Sequence, residues 1–238
     1  MRILKKNDAI DVQLLQDGFI VLINKPQDWT SFDVVNKIRR TLKIKKVGHA
    51  GTLDPFATGL LFVGVGKGTK QLNQFTKLDK TYRAIIKLGV ETDTYDRTGK
   101  IVKEADASLI SREQVEQMLK QMQGEMLQLP PMFSAKKVNG KPLYKLARKG
   151  KEIERKPQKV TVYQAKLLDW QAPLLTVELK VSKGTYIRSY AHDLGQALNT
   201  GAILQELVRT EIGEFSLTES FELPLFLEKW KQMVGQPA

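Results

Sequence analysis

An acidic side chain, Asp54, lies in a segment rich in residues with special backbone properties. The segment runs from Gly48 to Gly59 and contains three glycines together with His49 and Pro55. Glycine permits sharp turns and close approach to a ligand, and Pro55 restricts the preceding Asp54 to an extended conformation. The pattern predicts a carboxylate that is displayed from a stiff loop and is available for catalysis. It is also compatible with a structural role, in which Asp54 caps the next turn and His49 is an ordinary loop histidine.

A second group that could bind a substrate lies between Ser182 and Arg188. If strand alternation continues through this segment, Tyr186 and Arg188 share one face, roughly 7 Å apart, opposite a core-facing Ile187. An aromatic ring and a guanidinium on one face suit a stacked base and a paired carboxylate. The alternative is that both side chains simply belong to the protein surface.

Tyr82 is a third candidate, and its own pattern favours a structural role. It alternates with Ala84, Ile86 and Leu88 and therefore lies on the apolar face of a predicted strand. Periodicity alone predicts a core tyrosine there.

The composition restricts the chemistry that these residues can support. The chain has 238 residues, no cysteine and two histidines, which excludes disulfides and thiolate metal sites and argues against histidine-built zinc sites. We therefore expect no metal and no cofactor. The sequence has no apolar stretch near the roughly 20 residues of a membrane span and no signal peptide at its start, so we expect a cytoplasmic protein without membrane contact, and a monomer.

The charge distribution indicates a polyanionic partner. Lys and Arg outnumber Asp and Glu by 38 to 26. Ten bases against two acids lie between Lys136 and Lys159, and six bases without an acid lie between Val34 and Leu53. Such clustering is typical of nucleic-acid binding, with Lys136, Lys137 and Arg148 as candidate contacts. Charged runs that merely cover solvated faces are the alternative.

Secondary-structure patterns predict an α+β protein with a mixed sheet. Capping boxes begin helices after Thr30 and Ser111, and Pro224 to Met233 is expected to form a short final helix. Apolar runs predict strands at residues 19–24, 60–65, 82–88, 160–170 and 174–181. No linker separates domains, so we expect a single catalytic domain over residues 1–238, with a basic insert at about 130–157.

Taken together, these segments resemble the TruB family of bacterial tRNA pseudouridine synthases. The resemblance runs from about Phe19 to Arg209. Its motifs are Asn24-Lys25-Pro26 with Ser31, Gly48 to Pro55 continuing through Gly59-Leu60-Leu61, Lys80 to Arg83, Thr92-Asp93-Thr94, Pro131 to Lys136, and Ser182 to Arg188.

The resemblance implies a pseudouridine synthase fold, with a mostly antiparallel central sheet flanked by helices and loops, and a role for each matched residue. Asp54 would be the catalytic aspartate, paired with Arg188, and the substrate would be the T-loop uridine 55 of tRNA. The residues near the target nucleotide would be Lys25, His49, Tyr82, Tyr186 and Leu207, so Tyr82 becomes a site residue rather than a plain core tyrosine. Many relatives continue into a small C-terminal RNA-binding domain, which we expect to be absent here.

The residue chemistry agrees with this reaction. Conversion of uridine to pseudouridine moves the glycosidic bond from N1 to C5 without redox change, so it requires no cofactor. Arg188 beside Asp54 would lower the pKa of the carboxylate, and the two tyrosines suit a base flipped out of its stack. The Tyr82 hydroxyl is a candidate acceptor for the proton that C5 loses. A non-catalytic RNA-binding or tRNA-folding factor on the same fold remains the alternative.

Overall fold

The computed structural model describes residues 1–11, 13–134, 137–138, 141–147 and 153–235. The backbone divides into two compact units, the first formed by Met1–Thr81 with Val208–Ala238 and the second by Tyr82–Leu207. Within the described residues, none of the helices has the length and apolarity needed to cross a membrane.

The elements follow one another along the chain without a regular alternation of strand and helix. The strands are β1 (Arg2–Leu4), β2 (Phe19–Lys25), β3 (Val47–Ala50), β4 (Thr58–Val65), β5 (Lys80–Leu88), β6 (Val90–Thr92), β7 (Ile101–Glu104), β8 (Gly124–Gln128), β9 (Lys137–Val138), β10 (Lys141–Pro142), β11 (Gln158–Gln171), β12 (Leu174–Val181), β13 (Ala202–Ile212), β14 (Phe215–Ser216) and β15 (Phe221–Glu222). The α-helices are α1 (Gln13–Asp17), α2 (Ser31–Leu42), α3 (Leu72–Thr76), α4 (Arg112–Gln121), α5 (Leu143–Ala147), α6 (Ile187–Ala197) and α7 (Leu223–Met233), and 3₁₀ turns form at Gly66–Gln71 and Leu217–Glu219.

The first unit is built on a mixed sheet with β2 and β4 at its centre. β2 pairs antiparallel with β4 and parallel with β1 and β15, while β4 pairs with β3 and, in parallel, with β13 at Val208 and Arg209. β2 is apolar at consecutive positions because both of its faces are covered: Phe19, Val21 and Ile23 join one buried cluster, and Ile20 and Leu22 join the other. Burial on both faces explains why this strand reads as an unbroken apolar run.

Helix α2 packs its apolar face on this sheet, and local sequence explains where it begins. The Thr30 side chain accepts a hydrogen bond from the Asp33 amide, and the Asp33 carboxylate accepts one from the Thr30 amide, which completes the predicted capping box. The helix ends at Leu42, and its C-cap residue Lys43 has a left-handed φ of 54°. Val34, Val35, Ile38 and Leu42 are buried in the same cluster as Phe226 and Trp230 of α7. The predicted final helix is thus confirmed, beginning at Leu223.

The second unit contains an antiparallel arrangement of long strands. Its strand order is β13, β5, β12, β11, β8, and β11 pairs antiparallel with both β12 and β8. Buried Val177, Leu179 and Val181 alternate along β12 as the sequence predicts. The predicted α+β class with a mixed, mostly antiparallel sheet is confirmed.

One local prediction is wrong, because the strand does not continue from Val181 to Arg188. The amide of Thr185 and its hydroxyl both donate to the carbonyl of Ser182, and Gly184 has a φ of +83°, so the chain turns. Tyr186 is then the N-cap residue of α6, and Arg188 lies in the first turn of that helix. Tyr186 and Arg188 therefore do not share a strand face.

Candidate active site

The loop that carries Asp54 connects β3 to β4 in the first unit and is held through its backbone. The Asp54 carbonyl accepts a hydrogen bond from the Ala57 amide at 3.1 Å, which closes a turn over Pro55. The loop leaves Asp54 half-buried, between the buried Leu53 and the exposed Pro55. The predicted loop is present, and its backbone is restricted by this hydrogen bond as well as by Pro55.

Lys25 holds the loop at Pro55. Its ammonium is fully buried and donates to the carbonyls of Pro26, Trp29 and Pro55 at 2.7, 2.5 and 3.0 Å. Three acceptors match the three hydrogens of an ammonium. Burial lowers the pKa of Lys25 to about 8, against the attraction of Asp28 and Asp54.

Ser31 and Arg209 hold the other part of the loop. The Leu53 amide donates to Ser31 Oγ at 3.0 Å. Arg209, which is 1% exposed, donates from Nη2 to the Gly51 carbonyl at 3.0 Å and from Nε to the Leu60 carbonyl at 2.8 Å. Buried polar side chains therefore contact the backbone of alternate loop residues, Gly51, Leu53 and Pro55. Such contacts fix a loop backbone in the way that a catalytic side chain requires.

His49 precedes the loop in β3, opposite Val63 of β4. It is half-buried, and in the described part of the chain its Nδ1 has no hydrogen-bond partner. Burial, and to a smaller extent the Arg209 charge, lowers its pKa below the usual value. His49 is therefore mainly neutral at pH 7, which suits contact with an uncharged base.

In the second unit, Arg188 is anchored to a polar turn that follows β6. Its Nη1 donates to the Thr94 carbonyl at 3.2 Å and lies 3.4 Å from Asp96 Oδ2, and its Nη2 donates to the Phe133 carbonyl at 2.7 Å. Both Arg188 and Asp96 are buried. Asp96 Oδ1 also accepts from the hydroxyls of Thr94 and Thr98 at 2.8 and 2.6 Å. This network fixes the guanidinium, and the turn expected at residues 92–99 is its scaffold.

The remaining candidates of the second unit occupy three different elements. Tyr82 is buried in β5, Leu207 is buried in the neighbouring strand β13, and Tyr186 is half-buried at the N-cap of α6. The Gln128 side chain accepts from the Tyr186 amide at 2.7 Å and donates to its carbonyl at 3.0 Å. The structure thus brings Lys25, His49 and Asp54 into one unit and Tyr82, Tyr186, Arg188 and Leu207 into the other. The pairing of Asp54 with Arg188 stays a prediction.

The candidate RNA contacts of the basic segment are mostly beyond what the structure describes. Lys136 and Arg148 lie outside the described residues, and Lys137 lies in β9 without a described side chain. Their proposed role stays a prediction.

Two residues of these networks were not selected from the sequence. Arg209 entered only as the end of the family resemblance, and Asp96 only as part of a turn. Arg209 had a detectable signal, because a basic residue stands two positions after Leu207, on the face that the strand buries. Asp96 had no detectable sequence signal, because turns commonly contain aspartate.

Comparisons with known proteins identify the family of this chain. The family model described as "TruB family pseudouridylate synthase (N terminal domain)" matches residues 39–187. The tRNA pseudouridine synthase B of Clostridium tetani is 48% identical over 204 residues, which are 86% of this chain and 71% of that protein. The protein of the same name from Ureaplasma urealyticum is 43% identical over 217 residues, which are 90% of this chain and 94% of that protein.

A solved structure confirms the fold. A chain in the crystal structure of a Cbf5-Nop10-Gar1 complex superposes with a TM-score of 0.73 at 26% sequence identity, covering 98% of this chain. This chain spans 65% of that longer chain. The resemblance noted in the sequence is therefore confirmed: the chain belongs to the TruB family of pseudouridylate synthases.

Proposed function

We propose that this protein is a tRNA pseudouridine synthase that isomerises the T-loop uridine 55, with Asp54 as its nucleophile. The observation that carries the proposal is the loop of Asp54, in which buried polar side chains fix the backbone around a half-buried carboxylate. Family membership and the names of the relatives support the reaction and the substrate.

The reaction breaks the N1–C1′ bond, rotates the base, forms a C5–C1′ bond, and moves a proton from C5 to solvent while N1 gains one. Substrate and product are isomers, so the balance needs no redox partner. Asp54 attacks either C6 of uracil or the ribose, and in both cases it must be ionised. The nearby buried Lys25 ammonium attracts the ionised carboxylate.

We assign the other site residues as follows. Arg188, oriented by Asp96 and the carbonyls of Thr94 and Phe133, pairs with Asp54 in the working enzyme. Tyr82 and Tyr186 hold the flipped base, and the Tyr82 hydroxyl accepts the C5 proton directly or through water. The remaining contacts to the target nucleotide come from His49 and Leu207, whereas Lys25, whose ammonium hydrogens are all donated to backbone carbonyls, acts by holding the loop of Asp54.

RNA affinity comes from the basic segments. Lys136, Lys137 and Arg148 contact the T-arm backbone, and Lys37 and Arg40, both exposed on α2, supply further backbone contacts. We propose that the protein acts as a cytoplasmic monomer.

The test is conversion of a T-arm hairpin by the purified protein. Nuclease digestion and chromatography of the nucleosides should show up to one pseudouridine per hairpin, and none when the target uridine is replaced by cytidine. Tight binding of the hairpin without any pseudouridine would contradict the proposal and would favour a non-catalytic tRNA-folding factor.

A further inference from the structure

We infer that Arg209 is a positioning residue for the nucleophile. Its side chain holds the start of the Asp54 loop against the strand that follows the loop, and this contact controls the rate of the chemical step. The inference rests on the proposed function of Asp54. It assigns to Arg209 no contact with the substrate.

The guanidinium connects two backbone positions on either side of Asp54. Nη2 donates to the carbonyl of Gly51, where the loop begins, and Nε donates to the carbonyl of Leu60, in the strand that follows the loop. Gly51 has a φ of +75°, and a Cβ there would lie 3.4 Å from Nη1, so the loop backbone lies directly against the guanidinium. The planar guanidinium therefore holds the start of the loop, at Gly51, against Leu60 in β4.

The backbone of Arg209 is itself fixed against the loop. Arg209 is opposite Gly59 in the parallel pairing of β13 with β4. Gly59 has a φ of +109°, and a Cβ built on it would lie 2.3 Å from the Arg209 carbonyl oxygen. Only glycine at position 59 lets the two backbones come this close. The backbone of Arg209 therefore lies next to the end of the loop.

A purely structural explanation fits poorly with the charges. Arg209 is almost completely buried, and its charge lowers the pKa of both Lys25 and His49. Burial of a charged side chain has a desolvation cost that an apolar residue of similar size would not have. An apolar side chain could not supply the two hydrogen bonds that Arg209 donates to the carbonyls of Gly51 and Leu60.

The experiment compares Arg209→Met and Arg209→Lys with wild type in single-turnover tritium release from a T-arm hairpin that carries C5-labelled uridine. We expect the chemical rate of Arg209→Met to fall about 100-fold, because displacement of a catalytic group by about 1 Å has an effect of that size. Hairpin affinity should stay within about threefold of wild type, since the inference gives Arg209 no substrate contact. Arg209→Lys keeps the charge but has one donor nitrogen in place of the two that Arg209 uses, so its rate should lie between the two.

The matched control is Phe226→Leu, which removes buried volume from the core of the first unit, where Phe226 packs on Phe19 and Phe221. It should lower the thermal midpoint and leave the rate at a permissive temperature unchanged. Arg209 variants whose rates fall no more than that of the control, or whose affinity falls as much as their rate, would overturn the inference.

Hydrogen exchange of residues 51–57 gives a readout that needs no activity. Faster exchange of this segment in Arg209→Met than in Phe226→Leu supports the inference, and equal protection in wild type and Arg209→Met overturns it. A wild type that releases no tritium would instead contradict the proposed function, so the two failures are distinguishable.

Discussion

The guanidinium of Arg188 lies 3.4 Å from the carboxylate of Asp96, and the two side chains are only 4% and 5% exposed. Removing one partner of a buried ion pair leaves the other charge poorly compensated. We expect Asp96→Asn to lower the free energy of unfolding by about 3 kcal/mol and to reduce the rate of pseudouridine formation. Urea denaturation and the hairpin assay measure the two effects.

The control for Asp96→Asn is Glu116→Gln, which breaks the exposed ion pair with Arg112 at 2.8 Å. Exposed pairs contribute little, so a loss under about 0.5 kcal/mol is expected. Equal losses in the two variants would show that the Arg188–Asp96 pair has no special role.

Substitution of Gly59 tests the close approach of Arg209. Gly59 and Gly124 have similar φ values of +109° and +96°, but a Cβ at Gly59 would lie 2.3 Å from the Arg209 carbonyl oxygen, whereas a Cβ at Gly124 meets nothing within 4 Å. Gly124→Ala should lose about 1–2 kcal/mol of stability from backbone strain alone. Gly59→Ala should lose at least about 2 kcal/mol more in urea unfolding, because the clash adds to the strain. Similar losses in the two variants would mean that β4 and β13 can move apart at Gly59 without a further loss of stability.

The pH dependence of stability reports on Lys25. Burial lowers its pKa from 10.5 to about 8 in the folded protein, so between these values the unfolded chain binds more protons than the folded one. Stability contributed by this group therefore rises as the pH increases through that window. The free energy of unfolding of wild type, measured relative to Lys25→Met, should increase from about pH 7 to about pH 10. A difference that stays constant would place the Lys25 ammonium in a well-solvated position, and a difference that decreases would mean that folding raises its pKa.

Charge reversal tests the basic insert. Changing Lys136, Lys137 and Arg148 to glutamate should weaken hairpin binding and reduce the slope of log affinity against log salt by about 2, because about three phosphate contacts are lost. A control with Lys120, Lys166 and Lys180, all exposed, changed to glutamate alters the net charge equally. If both triple variants bind alike, net charge rather than a local contact determines affinity.

The parts of the fold that local sequence specifies were predictable. The Thr30–Asp33 capping box and the apolar strand at Phe19 depend on neighbouring residues, and both are confirmed. The segment around Tyr186 was wrong because the alternation of β12 gives no warning that Gly184 adopts a left-handed conformation and turns the chain into a helix.

The sequence singles out candidate site residues but not the residues that support them. Asp54 and His49 stand out through their unusual neighbours, whereas the grip of Arg209 on Gly51 depends on a contact across 158 positions. The link between Arg188 and Thr94 spans 94 positions. Such contacts depend on strand register and helix placement, which a single sequence does not specify.

The most direct test of the central claim is tritium release from a C5-labelled T-arm hairpin by wild type and by Asp54→Asn. The substitution keeps the size of the side chain and removes the nucleophilic carboxylate. We expect wild type to release tritium in proportion to pseudouridine formed, and Asp54→Asn to release none while binding the hairpin with near wild-type affinity. Release at the wild-type rate by Asp54→Asn would contradict the assignment of Asp54 as the nucleophile.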